Sequence, residues 1–546
     1  MQKAADSCST SGCPFRKWFS IFVGVVLLVA LAAGAWYWLQ NVSGRKAWEH
    51  YVRLADGWVD SVDAEDFMVP GSLRRNYIRM KDVIPPPIAD EKNFATHPYW
   101  GWIFRAAAHP EGEEGLLKEL TGEAKSDAEK WRSLRAAAPG QRDDWYPSME
   151  KLHRADLLQF FKTDSKADGE SAEVLPNLEE ALKLWDDLLE PNRAAVEELR
   201  RYLKERAECR YPIQYNQDSH GLFLEPLLPH LKGLKDLACY PSALALIHLA
   251  RGESTQAQED ILYLLDLADT LRREPFPISL AVRMDICKMA LDALWEGMEA
   301  EAWSAEQLQE FQERFGKVNF WNDQKLSIMG DRAAHNQELA ADPRRMDVLT
   351  HQIFSSAETH VRPGSEGFLK TAKMRLRPTG WYYRELLEFN LMMDSLLSIF
   401  EDEDQRYKPI ELVETFKTLN YYLNPDSGAK FARLIIAAGN VQDNETAFRS
   451  VAYNQFLHQA AEVACALERY RLANGRYPSW LKALGELFPE ENLPRDWVND
   501  HPPRIRLTDT GYLLWSAGWD RKDEGGRRFQ EAGASAEGDW VWEISR

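Results

Sequence analysis

Histidine, cysteine and paired carboxylates are the side chains through which proteins most often bind metals or move protons, and this chain scatters all three. Its twelve histidines include no HExxH pair and no other metal-ligand spacing. His248 and His458 fall inside helical patterns and read as core or surface residues. The six cysteines, Cys8, Cys13, Cys209, Cys239, Cys287 and Cys465, form no CxxC pair of the kind that zinc or dithiol chemistry needs. The last four read as buried free thiols, with a disulfide formed on export as the alternative. There is no GxSxG elbow, no GxxxxGK[ST] phosphate loop and no GxGxxG fingerprint. Paired carboxylates of the glycosidase kind can come from distant parts of a chain, and 85 acidic residues leave that reading open. The sequence therefore names no catalytic residue. Of its 20 tryptophans, Trp100 and Trp102 stand out as candidates for a groove, against a stronger reading as packing aromatics.

The elements that must position any site come next. Hydrophobic residues make up 45% of the chain and charged residues 28%, which is the composition of a folded protein. A net charge of -19 argues against nucleic acid as a partner.

From Trp18 to Leu39 no residue is charged. As a helix this stretch reaches about 33 Å, enough for a hydrocarbon core of about 30 Å. Arg16 and Lys17 precede it, and Trp36, Tyr37 and Trp38 form an aromatic belt at its far end. We expect residues 18–39 to be a transmembrane helix. A cleaved signal peptide ending near Ala33-Gly34-Ala35 is the alternative, and the apolar residues continuing to Leu39 favour retention. Lys3, Arg16 and Lys17 are balanced by Arg45, Lys46 and Arg53 across the segment. Because a long downstream domain translocates largely regardless of charge, residues 1–17 are expected in the cytoplasm and the body outside it.

Residues 40–150 mix short amphipathic pieces with breakers such as Pro85-Pro86-Pro87, which predicts a short juxtamembrane helix and irregular packing. Residues 151–445 are predicted as a helical body. Leu178, Leu182, Trp185 and Leu189 keep helical spacing, Pro191 interrupts, and Val196, Leu199 and Leu203 resume it. Pro241 suits a first helical turn, Gly252 a stop and Ser254 the cap of a second helix, giving a helical hairpin. A further helix spans about Pro277 to Met298, and Ser304 to Gln307 reads as a capping box flanked by Trp303 and Leu308. Tyr382, Leu386, Phe389, Met393, Leu396 and Phe400 form an apolar stripe that needs a partner surface. Upstream, Lys370, Lys373, Arg375 and Arg377 form a basic cluster, a solvated face with an anion or lipid-headgroup site as its alternative. The run Glu401 to Asp404 reads as a solvated helix end.

The last hundred residues change character. A helix from about Thr446 passes Phe456, Val463, Leu467 and Tyr470 and closes at Asn474-Gly475. Arg504 to Thr508, Gly511 to Ser516 and Asp539 to Glu543 read as three short strands. Ala466-Leu467-Glu468-Arg469-Tyr470-Arg471-Leu472-Ala473-Asn474-Gly475-Arg476-Tyr477-Pro478 is similar to the end of the long helix in the major pseudopilins of type II secretion. Tyr512 to Asp520 and Gly538 to Trp542 resemble the strands and loop that close that domain. The resemblance covers residues 446–546. The chain as a whole also resembles bacterial single-pass proteins that join a helical region to such a tail, a likeness that names no activity. Pseudopilins carry a processing site and a glutamate at the start of their anchor helix, which this anchor lacks, so processing or polymerisation as a pilin is not expected.

In that family the closing loop binds calcium through aspartates. The resemblance implies this role for Asp520 and Asp539, with Asp523 close by, since oxygen ligands on a loop suit calcium. Arg521, Lys522, Arg527 and Arg528 share the loop and oppose it, so aspartates satisfied by turn amides and arginines are the alternative.

Together these features predict a mainly α protein: an N-terminal transmembrane helix, a body of stacked helical hairpins resembling a solenoid, and a small C-terminal α+β unit with a short antiparallel sheet. The expected function is that of a membrane-anchored envelope protein that binds another envelope protein, without catalysis and with no cofactor beyond the calcium that the resemblance implies. The alternative is an envelope hydrolase acting on glycan or peptide through carboxylates gathered by the fold.

Overall fold

The computed structural model describes residues 14–55, 81, 83–136, 163–167, 170–174, 177–213, 215, 228–341, 378–401, 407, 412, 435–488, 493–527 and 537–546. Among them are twelve α-helices and a C-terminal antiparallel sheet of three strands, so the chain is mainly helical with one long apolar helix at its start. In chain order the elements begin with α1 (Pro14–Ala55), α2 (Pro98–Ala108), α3 (Gly112–Glu119), α4 (Gly122–Ala136), the hairpin β1 (Thr163–Ala167) and β2 (Glu170–Val174), and α5 (Leu178–Glu205). They continue with α6 (Pro229–Arg251), α7 (Ser254–Asp269), α8 (Pro277–Glu299), α9 (Ala305–Gly316), α10 (Phe320–Ala341), α11 (Thr379–Ser398) and α12 (Ile435–Asn474). The chain ends with β3 (Arg504–Leu507), β4 (Gly511–Ser516) and β5 (Trp540–Ser545). Two units result, one of Met1–Asn76, Asn336–Met392 and Tyr422–Gly439, the other of Tyr77–His335, Met393–Tyr421 and Asn440–Arg546.

In the first unit α1 runs unbroken well past Leu39, where a separate juxtamembrane helix was expected. Nothing between Leu39 and Ala55 is a strong breaker. Gly44 is tolerated because its missing side chain admits another backbone: a Cβ there would fall 1.9 Å from the Gly380 carbonyl oxygen. Gly44, Trp48 and Tyr51, spaced by four and three, are buried, and the two rings stack at 5.7 Å. Asn336 and Asn390 exchange reciprocal amide hydrogen bonds of 2.9 and 2.6 Å between α10 and α11. Every member of the expected stripe from Tyr382 to Phe400 is buried.

The second unit stacks helices around α7, which packs against α6 and α8 while those two also touch. Apolar faces supply the bulk, and buried ion pairs fix the register. Arg200 of α5 pairs with Asp260 of α7, whose other oxygen lies 2.8 Å from His248 Nδ1 of α6. Arg283 of α8, 1% exposed, reaches Asp323 of α10 at 2.5 Å and Asp269 of α7 at 3.0 Å. Arg314 of α9 reaches Asp266 of α7 at 2.5 Å. Six helices, α5 to α10, are thus joined by these charges, with α7 at the centre.

Two prolines do not act as the punctuation expected. Pro191 lies inside α5 and Pro241 inside α6, which begins instead at Pro229 in its first turn. Each removes one backbone hydrogen bond, at about 3 kcal/mol, and the apolar burial on both sides outweighs it. Ser254 is the first residue of α7 and makes no side-chain cap, whereas Gly252 does close α6 in the left-handed conformation. The Ser304–Gln307 capping box forms in both directions, with Trp303 and Leu308 buried beside it. The region expected to be irregular before residue 150 contains α2, α3 and α4, and the β1–β2 hairpin interrupts the expected helical body. Lys370, Lys373, Arg375, Arg377, the run 402–404, Cys8 and Cys13 lie outside the described residues.

Replacing Arg283 alone strands the Asp323 carboxylate, 8% exposed, among packed helices. Arg283→Met should therefore destabilise the protein by about 3–5 kcal/mol, and adding Asp323→Leu should recover most of that loss. Urea unfolding of the purified chain in detergent, followed by circular dichroism, measures both.

Candidate functional site

The sheet order is β3-β4-β5, with Leu514 facing Ile505 on one side and Trp542 on the other. All of β4 is buried, so the loop that leaves its end is held from beneath. Asp496 supplies that support, accepting hydrogen bonds from Val498 N at 2.9 Å, Asn499 Nδ2 at 2.7 Å and the Ser516 hydroxyl. Burial raises the Asp496 carboxyl despite these donors. Gly518 turns the chain with φ of 63° where a Cβ would fall 2.2 Å from the Gly538 carbonyl oxygen, closing the two ends of the loop on each other.

The three aspartates singled out by the resemblance have separate employment on this loop. Asp520 accepts from Lys522 N at 3.0 Å, a local turn bond. Asp523 accepts from Trp515 Nε1 at 2.9 Å and Gly525 N at 3.0 Å and pairs with Arg504 at 3.0 Å, and these bonds hold its carboxyl below the ordinary range. Asp539, buried, accepts from Gly526 N at 2.6 Å through one oxygen, while its other oxygen has no hydrogen-bond donor. Glu524, which sequence reasoning passed over, is raised by desolvation and by the charges of Asp520 and Asp539. Asp520 and Asp539 thus both lie in reach of Glu524, and Asp523 is turned to Arg504. Among the described residues no group of three histidine, cysteine or acidic side chains is spaced to hold a metal ion. Among the described residues Asp520, Asp523 and Asp539 are not gathered into one ligand set, and residues 528–536 of the same loop lie outside them.

Elsewhere several histidines and cysteines are enclosed. His97 caps α2 through Nδ1, faces Glu198 at 3.3 Å and is pushed down to about 4 by burial. His458 donates to the Asn454 carbonyl at 2.8 Å and is likewise lowered to about 4 by burial. His230 sits between Phe104 and Tyr211 and bonds Glu274 at 2.8 Å, with Ser279 on the other carboxylate oxygen. Cys209, Cys239, Cys287 and Cys465 are buried and form no disulfide among the described residues, the first of the two expected readings. Trp100 and Trp102 are core residues, 0% and 1% exposed, with Trp100 edge-on to Phe94 and Tyr211. They line no open groove.

One carboxyl stands apart. Glu462, on α12, packs against Gly316 at the end of α9, where a Cβ would lie 3.0 Å from its Cδ. Burial alone raises it to about 7. A single acidic residue in the run Ala460-Ala461-Glu462-Val463-Ala464 was the signal for it.

No protein-family model matches the chain, and no curated protein or solved structure matches it significantly. The pseudopilin resemblance therefore rests on the quoted motifs alone.

Between pH 4.5 and 7 the folded chain holds a proton on Glu462 that the unfolded chain has released, so this group's contribution weakens as pH rises through that window. Glu462→Gln should stabilise the protein on the order of 2 kcal/mol at pH 8 and leave it unchanged at pH 4.5. His97 and His458 act with the opposite sign: neutral when folded, they lose stability as pH falls from 6.5 toward 4. Melting curves across pH measure both limbs. Millimolar calcium should leave the melting temperature of the full chain unchanged; a rise abolished by Asp539→Asn would restore the loop as a cation site.

Proposed function

We propose that this chain is a single-pass protein of a bacterial inner membrane, with its helical body outside the cytoplasm and a protein-binding role. The observation that carries the reading is the surface of α1. It is the one helix among the described residues long and apolar enough to cross a membrane, and none of its apolar window is buried by the chain. Phe22, Leu28 and Leu31 are 64%, 68% and 70% exposed. So large an apolar surface needs a non-aqueous partner, and its length fits a bilayer. Retention rather than cleavage is supported by the helix itself, because a cut after Ala35 would sever it above the turns that bury Trp48 and Tyr51.

The protein-binding part of the reading has two supports. The buried carboxylates Asp260 and Asp323 of the second unit are engaged by Arg200 and Arg283 and hold helices together. Trp480, 63% exposed, follows the closing turn of α12, and Leu472 on the other side of that turn is 48% exposed. Exposed tryptophan is the commonest anchor of a protein interface. The segment is held firmly, since Tyr477 donates to Glu468 at 2.8 Å.

Affinity capture of the full chain from crosslinked, detergent-solubilised membranes should recover one envelope protein reproducibly. Trp480→Ala should lower its yield about tenfold without shifting the melting temperature. Recovery of no reproducible partner would overturn the binding role. Protease should reach the body in spheroplasts; digestion only after the inner membrane is breached would reverse the orientation.

A further inference from the structure

The apolar segment ends at Leu39, and the polar residues Gln40, Asn41 and Ser43 follow within about 6 Å along the helix axis, at the depth where lipid headgroups begin. A second helix meets α1 at this level. Its partners are 339 to 341 residues further along the chain: Gly380 N donates to Asn41 Oδ1 at 3.0 Å, Trp381 Nε1 to Gln40 Oε1 at 3.2 Å, and Arg384 to the Ser43 hydroxyl at 2.7 Å. Glycine on both helices makes the crossing close, since a Cβ on Gly380 would fall 1.9 Å from the Gln40 carbonyl oxygen. The polar groups that α1 would otherwise present at the hydrocarbon edge are thereby satisfied.

Trp36 lies inside the charge-free segment, and its ring meets that of Trp381 edge-on, with centroids 6.0 Å apart. The two indoles must therefore share one depth to within that distance. Arg45, with 67% of its side chain exposed, lies half a turn beyond Ser43, and Arg384 is bonded to Ser43 itself. Tryptophan at the interface and arginine at phosphate height are the residue types that this layer favours.

We propose that the first turns of α11, residues 379–384, are a second membrane-contact element, lying in the interfacial layer of the bilayer that α1 spans. Trp381 joins Trp36 in the aromatic belt, and Arg384 and Arg45 stand at the height of the phospholipid phosphates. The proposal rests on α1 residing in a bilayer.

The test uses the full chain in vesicles of phosphatidylethanolamine and phosphatidylglycerol, with the photoreactive residue p-benzoylphenylalanine at position 27, 381 or 383. Position 383 is included because replacing Trp381 could itself loosen the crossing, and Tyr383 lies within electrostatic reach of Arg45. Illumination should give lipid adducts, detected by mass spectrometry, from all three positions. Adding Gly380→Leu should reduce those from 381 and 383 several-fold and leave that from 27 intact. Adducts from 27 with none from 381 or 383 would overturn the second contact and leave the span standing. No adduct from 27 would overturn both. Unchanged adducts from 381 and 383 in Gly380→Leu would overturn the crossing as the cause of the placement.

Discussion

An unbroken helix cannot have one end fixed without fixing whatever is packed along the other. In α1 none of the apolar window is buried by the chain, whereas Gly44, Trp48 and Tyr51 are buried within it. The change of surroundings takes about one turn, with no loop between to absorb it. A flexible tether would let the first unit drift relative to its anchor. Here the Gly44–Gly380 crossing and the bonds from Gly380, Trp381 and Arg384 tie α11 to the same rod. The first turns of α11 are fixed against α1.

The second unit solves a different problem, that of choosing one register among several for helices with similar apolar faces. Leucine and alanine surfaces slide past one another at little cost, but a buried guanidinium facing the wrong residue does not. α7 carries Asp260 toward Arg200 and His248 at one end, and Asp266 and Asp269 toward Arg314 and Arg283 at the other. Both ends must be satisfied together. The sheet is fastened to the same stack, with Trp295 donating to the Glu543 carbonyl at 2.7 Å and Arg546 to the Met298 carbonyl at 2.8 Å. Carboxylates engaged in this way are scaffolding rather than acid or base.

Local signals were legible wherever local energetics decided the outcome. The stripe from Tyr382 to Phe400 and the Ser304 box read correctly because period and capping act over one or two turns. The strand from Gly511 to Ser516 was equally plain, since alternating turn residues bound it. Pro191 and Pro241 misled because the penalty of a proline is local, while the burial that overrides it comes from helices elsewhere in the sequence. Glu462 was hidden for the same reason: its proton affinity is set by burial, to which Gly316 and α9, distant in sequence, contribute. The aspartates of the closing loop were legible as loop residues but not as ligands or turn acceptors, because that choice depends on where Arg504 and Trp515 point. The meeting of Trp36 with Trp381 left no sequence trace.

The buried thiols have a kinetic meaning. Burial raises Cys209, Cys465 and Cys287, the last to about 12, and these three and Cys239 form no disulfide among the described residues. Thiols so held are almost wholly protonated and screened, and therefore inert while the chain stays folded. Opening the second unit releases all four together. In an oxidising compartment they would then join in pairings that the native packing forbids, and the chain could not return. Persistence there is governed by how seldom the helices separate, a rate rather than an equilibrium.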